Sequence, residues 1–236
     1  MAIHGESFGA PTMIKTVVVV NSVKTVFGQP QGGQAHTLNK LSVMSRAVFT
    51  MMRVAMMKTY EFVLKFKLSN VDADPEQFLE ALYEQGCDDS LVGVGRKGVV
   101  ALDFAREAET AEQAVMSAVS AVLKAIPGAE LFEAGPDLIN LSDLAELMGC
   151  SRQNAHKHAN ADDFPMPVVS KGRDQLWHYS DVLEWLNANQ AKLRKLELDS
   201  ANLSLAKILR TTNLVVESNK INPEVFNKAK QLLSYA

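Results

Sequence analysis

Alternation of apolar and polar side chains along the chain first becomes regular near residue 59. Apolar residues at every second position from Tyr60 to Leu68 predict a strand with one buried face. Asp74 and Pro75 then indicate a helix start, because Asp is a good N-cap and Pro suits the first helical turn. The pattern therefore predicts a strand followed by a helix.

The next stretch repeats this pattern with a hairpin inserted. Two apolar runs, 91–94 and 99–104, flank a Gly-Arg-Lys-Gly turn. A capping-box sequence at Thr110 precedes an amphipathic helix that Pro127-Gly128 ends, and 129–133 is a short fourth strand. The order β-α-β-β-α-β predicts an α+β, ferredoxin-like domain over residues 58–134, with two helices on one antiparallel sheet. This fold serves enzymes, ligand sensors and dimerisation modules, so it does not define the function.

One carboxylate cluster in this domain could suggest chemistry. It consists of Asp88, Asp89 and Asp103, and no histidine or second set of ligands accompanies it. We interpret these side chains as solvated loop acids rather than as a metal or acid–base site. Cys87 is interpreted as a small buried apolar residue and not as a nucleophile.

A helix–turn–helix pattern follows over residues 138–187. Ser142 is the expected N-cap of the first helix and Ser151 that of the second. Gly149 between them suits a sharp turn at positive φ. A hairpin bounded by prolines and a further amphipathic helix come next. This order predicts a winged helix–turn–helix.

The second of these helices carries no acidic side chain, although residues 138–190 contain seven acids and four basic residues. Arg, Lys, Gln and Asn side chains fit the edges of guanine and adenine in the major groove, which a recognition helix enters with its N-terminal residues. The predicted base contacts are Arg152, Gln153, Asn154 and Lys157. The predicted phosphate contacts, which position a protein without specifying sequence, are Ser151, His156, Lys171 and Arg173.

Residues 141–186 resemble the winged helix–turn–helix of the MerR/excisionase superfamily, especially its small AlpA-like phage regulators. The matching positions are Asp143-Leu144-Ala145, Gly149, Ser151-Arg152, Phe164-Pro165, Pro167, Gly172-Arg173, Trp177, Asp181-Val182 and Trp185-Leu186. The resemblance covers about a fifth of the chain and implies a DNA-binding regulator, with the Gly172-Arg173 hairpin as a wing against the phosphate backbone. One departure is His158, which stands where the family usually buries an apolar residue. Both tryptophans are interpreted as core residues.

The C-terminal segment, 188–236, is predicted to be helical. Apolar residues at 186, 193, 196 and 203 form a heptad-like seam in which Asn189 could fix the register of a dimer. The alternative is an amphipathic helix packed on its own domain, with Asp199-Ser200 ending it and capping a new helix. Both interpretations stay open. A last helix begins at Pro223.

Residues 1–57 are unlike the rest, with five basic residues and one acid. We interpret them as a disordered extension, or as residues before a true start near Met56 or Met57. They show no hydrophobic segment with a signal-peptide cleavage site. The two cysteines of the chain are 63 residues apart, so neither a disulfide framework nor a zinc site is expected. No apolar run of about 18 residues predicts a membrane span.

These patterns predict a sequence-specific DNA-binding regulator that acts without catalysis, metal or cofactor. Its partner is double-stranded DNA, and a homodimer would read palindromic sites. The expected location is the cytoplasm, at the nucleoid. Charge is segregated: residues 58–137 contain 15 acids and 7 basic residues, which makes a poor DNA surface, whereas 191–236 contain 4 and 8.

Two alternatives remain open. The first is an antitoxin-like or adaptor module that holds a protein partner through the ferredoxin-like domain or the C-terminal helices. The second is a ligand-gated regulator that senses a metabolite through the ferredoxin-like domain.

Overall fold

The computed structural model describes residues 57–172, 174–189 and 199–234. These residues belong to one compact unit. They form an α+β fold with two antiparallel sheets and, over the described ranges, seven α-helices. The predicted N-terminal extension lies outside the described residues except for Met57. No helix in the described part of the chain is long and apolar enough to cross a membrane.

The first sheet contains four strands. They are β1 (Lys58–Lys67), β2 (Ser90–Gly93), β3 (Val99–Ala108) and β4 (Glu130–Gly135), in the spatial order β2-β3-β1-β4 with antiparallel neighbours. A 3-10 turn (Pro75–Phe78) leads into α1 (Leu79–Glu84), and α2 (Ala111–Ala125) follows β3. The predicted order of strands and helices is therefore confirmed for this part of the chain.

The alternation in β1 places one face of the sheet in the core. Side chains at the even positions 60–66 of β1 and 100–106 of β3 are directly paired and buried, and Phe62 stacks on Phe104 at 5.3 Å between ring centroids. Helix α2 covers this face with small residues, which allow close approach; they are Ala111, Ala114, Val115, Ala118, Ala121, Val122 and Ala125. The period of two in the sequence thus determined which face is buried.

The second sheet belongs to the region of the predicted helix–turn–helix. Its strands are β5 (Leu138–Ile139), β6 (Val169–Lys171) and β7 (Asp174–His178), in the order β5-β7-β6. The helices are α3 (Leu141–Leu147), α4 (Arg152–Ala159) and α5 (Tyr179–Ala188).

The N-cap predicted for α3 was wrong. Asn140, and not Ser142, caps the helix, and its side chain accepts hydrogen bonds from the backbone N–H groups of Ser142 (2.6 Å) and Asp143 (3.2 Å). Asp143 accepts in return from the Asn140 N–H at 2.8 Å, which completes a capping box. Asn140 lies two positions before Ser142, and its side chain pairs two N–H groups of the first turn at once.

Two helices follow in the C-terminal segment, α6 (Ser200–Ser218) and α7 (Pro223–Leu233). Asp199 caps α6 by accepting a hydrogen bond from the Ala201 N–H at 2.9 Å, as one alternative predicted. Positions 193 and 196 of the heptad-like seam lie outside the described residues. Leu186 on α5 and Leu203 on α6 both pack in the core of the second sheet.

Helix α6 joins the two halves of the described chain. Leu205 and Leu209 on one side are buried in the core of the first sheet, whereas Ala206 is buried in the second core. Arg210 donates hydrogen bonds to Ser180 and Asp181 on α5. The helix is therefore a shared wall of both cores.

Asn213 of α6 closes the edge of the first sheet. Its side-chain oxygen accepts from the Ala134 N–H, and its Nδ2 donates to the Ala134 carbonyl, both at 2.8 Å. Ala134 lies on β4, an edge strand whose outer backbone groups would otherwise need another partner. The same Nδ2 donates to Asp137, at 2.8 Å.

We expect Asn213→Ala to lower the free energy of unfolding by about 1–3 kcal/mol, because it leaves partly buried backbone groups of Ala134 unpaired. Urea denaturation followed by circular dichroism measures this change. Asn202→Ala, an exposed asparagine on the same helix, is the matched control. An equal effect of the two substitutions would contradict the role assigned to Asn213.

Candidate nucleic-acid interface

Helices α3 and α4 pack against each other around small side chains. Ala145 on α3 and Ala155 on α4 are buried in one core with Leu144. Gly149 between the helices has φ of +58°, a conformation that a side chain with Cβ rarely adopts. The positive φ expected from the sequence is therefore confirmed, and it allows the sharp turn between the two helices.

All the side chains predicted to contact DNA from α4 lie on its exposed surface. Ala155 is the one fully buried residue of the helix. The predicted contacts on α4 and at its cap are all exposed; they are Ser151, Arg152, Gln153, Asn154, His156 and Lys157. Neither Arg152 nor Lys157 has an ion-pair partner in the described part of the chain, so both cations face solvent.

The helical period ranks these side chains by direction. Successive residues of an α-helix are about 100° apart, so residues two positions either side of Ala155 point away from the core. Gln153 and Lys157 occupy those positions and form the centre of the exposed face. Arg152 and His156 flank it on one side and Asn154 on the other.

Local hydrogen bonds set the chemistry at both ends of α4. Ser151 caps the helix by accepting from the Asn154 N–H at 3.2 Å, which leaves its hydroxyl proton to donate. At the other end, Asn160 Nδ2 lies 3.0 Å from His156 Nδ1 and donates to the His156 carbonyl at 2.9 Å. If Nδ1 accepts from Asn160, neutral His156 carries its proton on Nε2, where it can donate to a phosphate.

The predicted wing is a hairpin on a separate element. Lys171 ends β6 and is exposed, and Gly172 has φ of +62° in the turn. Arg173 lies outside the described residues. The structure therefore brings five predicted side chains together on α4, and Lys171 belongs to a different element, the hairpin.

The sequence analysis missed an exposed apolar arm in front of β6. Met166 is 85% exposed and Val168 is 51% exposed, and Val169, the first residue of β6, is 44% exposed. The prolines on both sides of Met166 are the signal in the sequence, because they favour an extended segment that cannot pack as part of a helix. Apolar side chains at a DNA surface can contact thymine methyl groups.

An aromatic cluster supports α4 from beneath. Phe164 makes edge contacts with Trp177, at 5.8 Å between ring centroids, and with Trp185, at 4.9 Å. His158 packs on Trp185 at 6.1 Å. Trp177 is fully buried, which confirms it as a core residue, and Trp185 is partly buried against the same core. The half-buried His158 meets the Trp185 ring edge-on rather than stacking on it.

The interpretation of the three acids of the first sheet as solvated loop residues was wrong for Asp89, whereas Asp88 and Asp103 are exposed and Asp103 lies on β3 rather than on a loop. Asp89 forms a two-point ion pair with Arg106, whose Nε and Nη2 donate to its oxygens at 2.7 and 2.8 Å. Burial raises the pKa of the Cys87 thiol, which disfavours the thiolate that a nucleophile needs. Among the described residues, no group of three or more His, Cys, Asp and Glu side chains could hold a metal ion.

Comparison with known proteins gives no relative. The chain matches no protein-family model, no curated protein and no solved structure.

Proposed function

We propose that the protein is a sequence-specific DNA-binding protein, a transcriptional regulator that reads the major groove with α4. The observation that carries this proposal is the division of α4 into one buried alanine and five exposed side chains that are basic or hydrogen-bonding. Only Ala155 of α4 is fully buried, and His158 and Ala159 in the last turn are partly buried, so the first five exposed side chains are free to enter a groove about 12 Å wide.

The surrounding architecture is consistent with this proposal. We assign α3, α4, the β6–β7 hairpin and α5 to a winged helix–turn–helix of the MerR/excisionase type. The strand order β2-β3-β1-β4 with two helices supports a ferredoxin-like assignment for the first part. Its acidic surface would face away from DNA, since like charges repel.

The side chains of α4 fall into proposed base contacts and proposed phosphate contacts. Gln153 and Lys157, at the centre of the exposed face, and Arg152, in the first turn, would reach base edges. Ser151 at the N-cap, together with Lys171 on the hairpin, would donate to phosphates and fix the orientation of the helix. His156 would add a phosphate contact from the side of α4.

We expect Arg152→Ala and Lys157→Ala each to weaken binding to a selected DNA site by about 1–3 kcal/mol, which is roughly 5- to 150-fold in Kd. The sites are selected from genomic fragments with the full chain, and Kd is measured by gel shift at one fixed salt concentration, because phosphate contacts depend on salt. Lys171→Ala should weaken specific and non-specific DNA similarly and should reduce the salt slope by about one.

The matched control is Lys124→Ala, an exposed lysine on α2 that removes the same charge far from α4 in sequence and on another core. Its Kd should equal that of the wild type. If Arg152→Ala and Lys157→Ala also bind genomic DNA like the wild type, α4 is not the reading helix and the proposal fails.

A further inference from the structure

An apolar groove runs between α2 and α6 on the surface of the first core. Its volume is about 850 Å³, and one wall comes from α2 and the other from α6. Met116 and Leu123 on α2 are 45% and 43% exposed there, although they belong to the apolar stripe of an otherwise well-covered helix. Val215 on α6 faces the same groove and is also exposed.

Helix α7 has an apolar face that packs on no other part of the described chain. Its large apolar side chains recur at helical spacing and are 48–78% exposed; they are Val225, Phe226, Leu232 and Leu233. No residue of α7 is buried. A helix with one apolar stripe and no partner is marginal in water, since most helix stability comes from packing.

The two features match in length. Helix α7 has eleven residues and is therefore about 16 Å long. The groove extends along α2 from Glu112 to Leu123 and along α6 from Ile208 to Asn219, which is about 18 Å on each wall. An inserted α7 would fill the groove from end to end.

They also match in charge. Glu112, Glu130 and Lys220 are the charged residues that line the groove, which leaves its lining acidic by one charge, and Lys220 is already paired with Glu217 at 2.8 Å. The surrounding residues 58–137 carry an excess of eight acids. Helix α7 carries Lys228 and Lys230 against Glu224 alone, and the C-terminal segment 191–236 has an excess of four basic residues. The helix would therefore approach a surface of opposite charge.

The chain does not fill its own groove. None of the groove-lining residues comes from α7, and the connection at Asn219–Asn222 leads the helix away with its apolar face exposed. A second copy of the chain offers both a helix for this groove and a groove for this helix. Two copies related by a two-fold axis would therefore form two identical helix–groove contacts. Two such pairs bury an area on the order of the 1,000 Å² or more that a specific interface needs.

We propose that α7 of one molecule docks in the α2–α6 groove of a second copy, and that this reciprocal exchange makes the protein a two-fold dimer. The apolar stripe of α7 packs on Met116, Leu123 and Val215 of the partner copy. The dimer holds whether or not the protein binds DNA, because neither helix nor groove uses a residue of α4.

The test measures the mass of the full chain by light scattering and its dimer Kd by sedimentation over a dilution series. Three double variants are compared with the wild type. The helix variant is Phe226→Asp with Leu233→Asp, and the groove variant is Met116→Glu with Leu123→Glu. The control is Val71→Asp with Leu91→Asp, which charges two apolar side chains of similar exposure away from the groove.

We expect a wild-type dimer, and an increase of at least about 100-fold in dimer Kd for the helix and groove variants, since each dimer carries the lost contacts twice. The control should remain dimeric. Circular dichroism should show all variants folded, because every substituted side chain is more than two-fifths exposed. An equal mixture of helix and groove variants should form heterodimers, which retain one intact helix–groove pair.

Three results would overturn the proposal. A wild-type monomer at concentrations up to about 100 µM excludes a useful dimer. Loss of the dimer in the helix variant but not in the groove variant means that α7 pairs with another α7. A monomer in which hydrogen exchange shows α7 protected means that α7 folds back into its own groove.

Discussion

Replacing Asp89 by alanine is expected to lower the free energy of unfolding by about 3 kcal/mol, because it leaves the Arg106 guanidinium buried without its counter-ion. The Arg106 side chain is 9% exposed. Its other hydrogen bonds go to neutral groups, the Gly86 carbonyl and the Ser117 hydroxyl, and its guanidinium lies 4.8 Å from the Phe104 ring centroid. None of these partners replaces a negative charge.

Urea denaturation of the purified full chain measures this loss. Asp88→Ala is the matched control, because it removes the neighbouring exposed acid and should change stability by less than about 0.5 kcal/mol. A second comparison is Asp89→Ala combined with Arg106→Met, which removes both charges and keeps an apolar stem. This pair should recover part of the loss, since an uncompensated buried charge costs more than an apolar replacement. No difference between Asp88→Ala and Asp89→Ala would contradict the role of the ion pair.

The other large effect is expected in the second core. Trp177→Ala should lower the free energy of unfolding by about 3–5 kcal/mol, because it removes the largest fully buried side chain and leaves a cavity. Trp177 pairs with Ile139 across the β5–β7 ladder and meets the edge of Phe164. Its indole N–H has no hydrogen-bond partner in the described part of the chain, so the expected loss is that of burial and packing.

Two further variants serve as comparisons for the stability lost in Trp177→Ala. Trp177→Phe keeps an aromatic ring and loses no hydrogen bond within the described chain, so it should cost clearly less than alanine. Met166→Ala, on the exposed arm, should be nearly neutral. If Trp177→Ala and Met166→Ala are equally stable, the second core does not depend on the tryptophan.

Tryptophan fluorescence adds a separate readout, because both tryptophans of the chain lie in the second core. Circular dichroism reports both cores together. We expect the two signals to change at the same urea concentration in the wild type, since α6 contributes side chains to both cores.

Much of the fold was predictable from local pattern. The period of two in β1 predicted which side chains are buried, because alternate residues of a strand must face opposite sides of the sheet. Thr110 was predicted as an N-cap, and it accepts a hydrogen bond from the Gln113 N–H at 3.2 Å. The cap of α3 was missed, because Asn140 and Ser142 are both good capping residues and only the backbone path selects between them.

The candidate site was predictable in its composition but not in its geometry. The absence of acids from 152–159 identified α4 as a basic surface. It could not rank Gln153 and Lys157 as the centre of the exposed face, because that depends on the direction in which Ala155 packs. The exposed arm at Met166 was missed for a related reason, because the flanking prolines favour an extended backbone but whether an apolar side chain is covered depends on the packing of its neighbours.

The sequence by itself determined the elements, the buried faces of the strands and the polar character of α4, because each follows from the periodicity and side-chain chemistry of residues close together in the chain. The tertiary structure alone decided that α6 is shared between two cores, that Asn213 closes the edge at Ala134, and that α7 is left without cover. These features join residues far apart in the chain, such as Asn213 and Ala134 at 79 positions, or depend on what is missing from a surface, and no local pattern encodes either. The groove and the uncovered helix therefore became visible only after both cores had been assembled around α6.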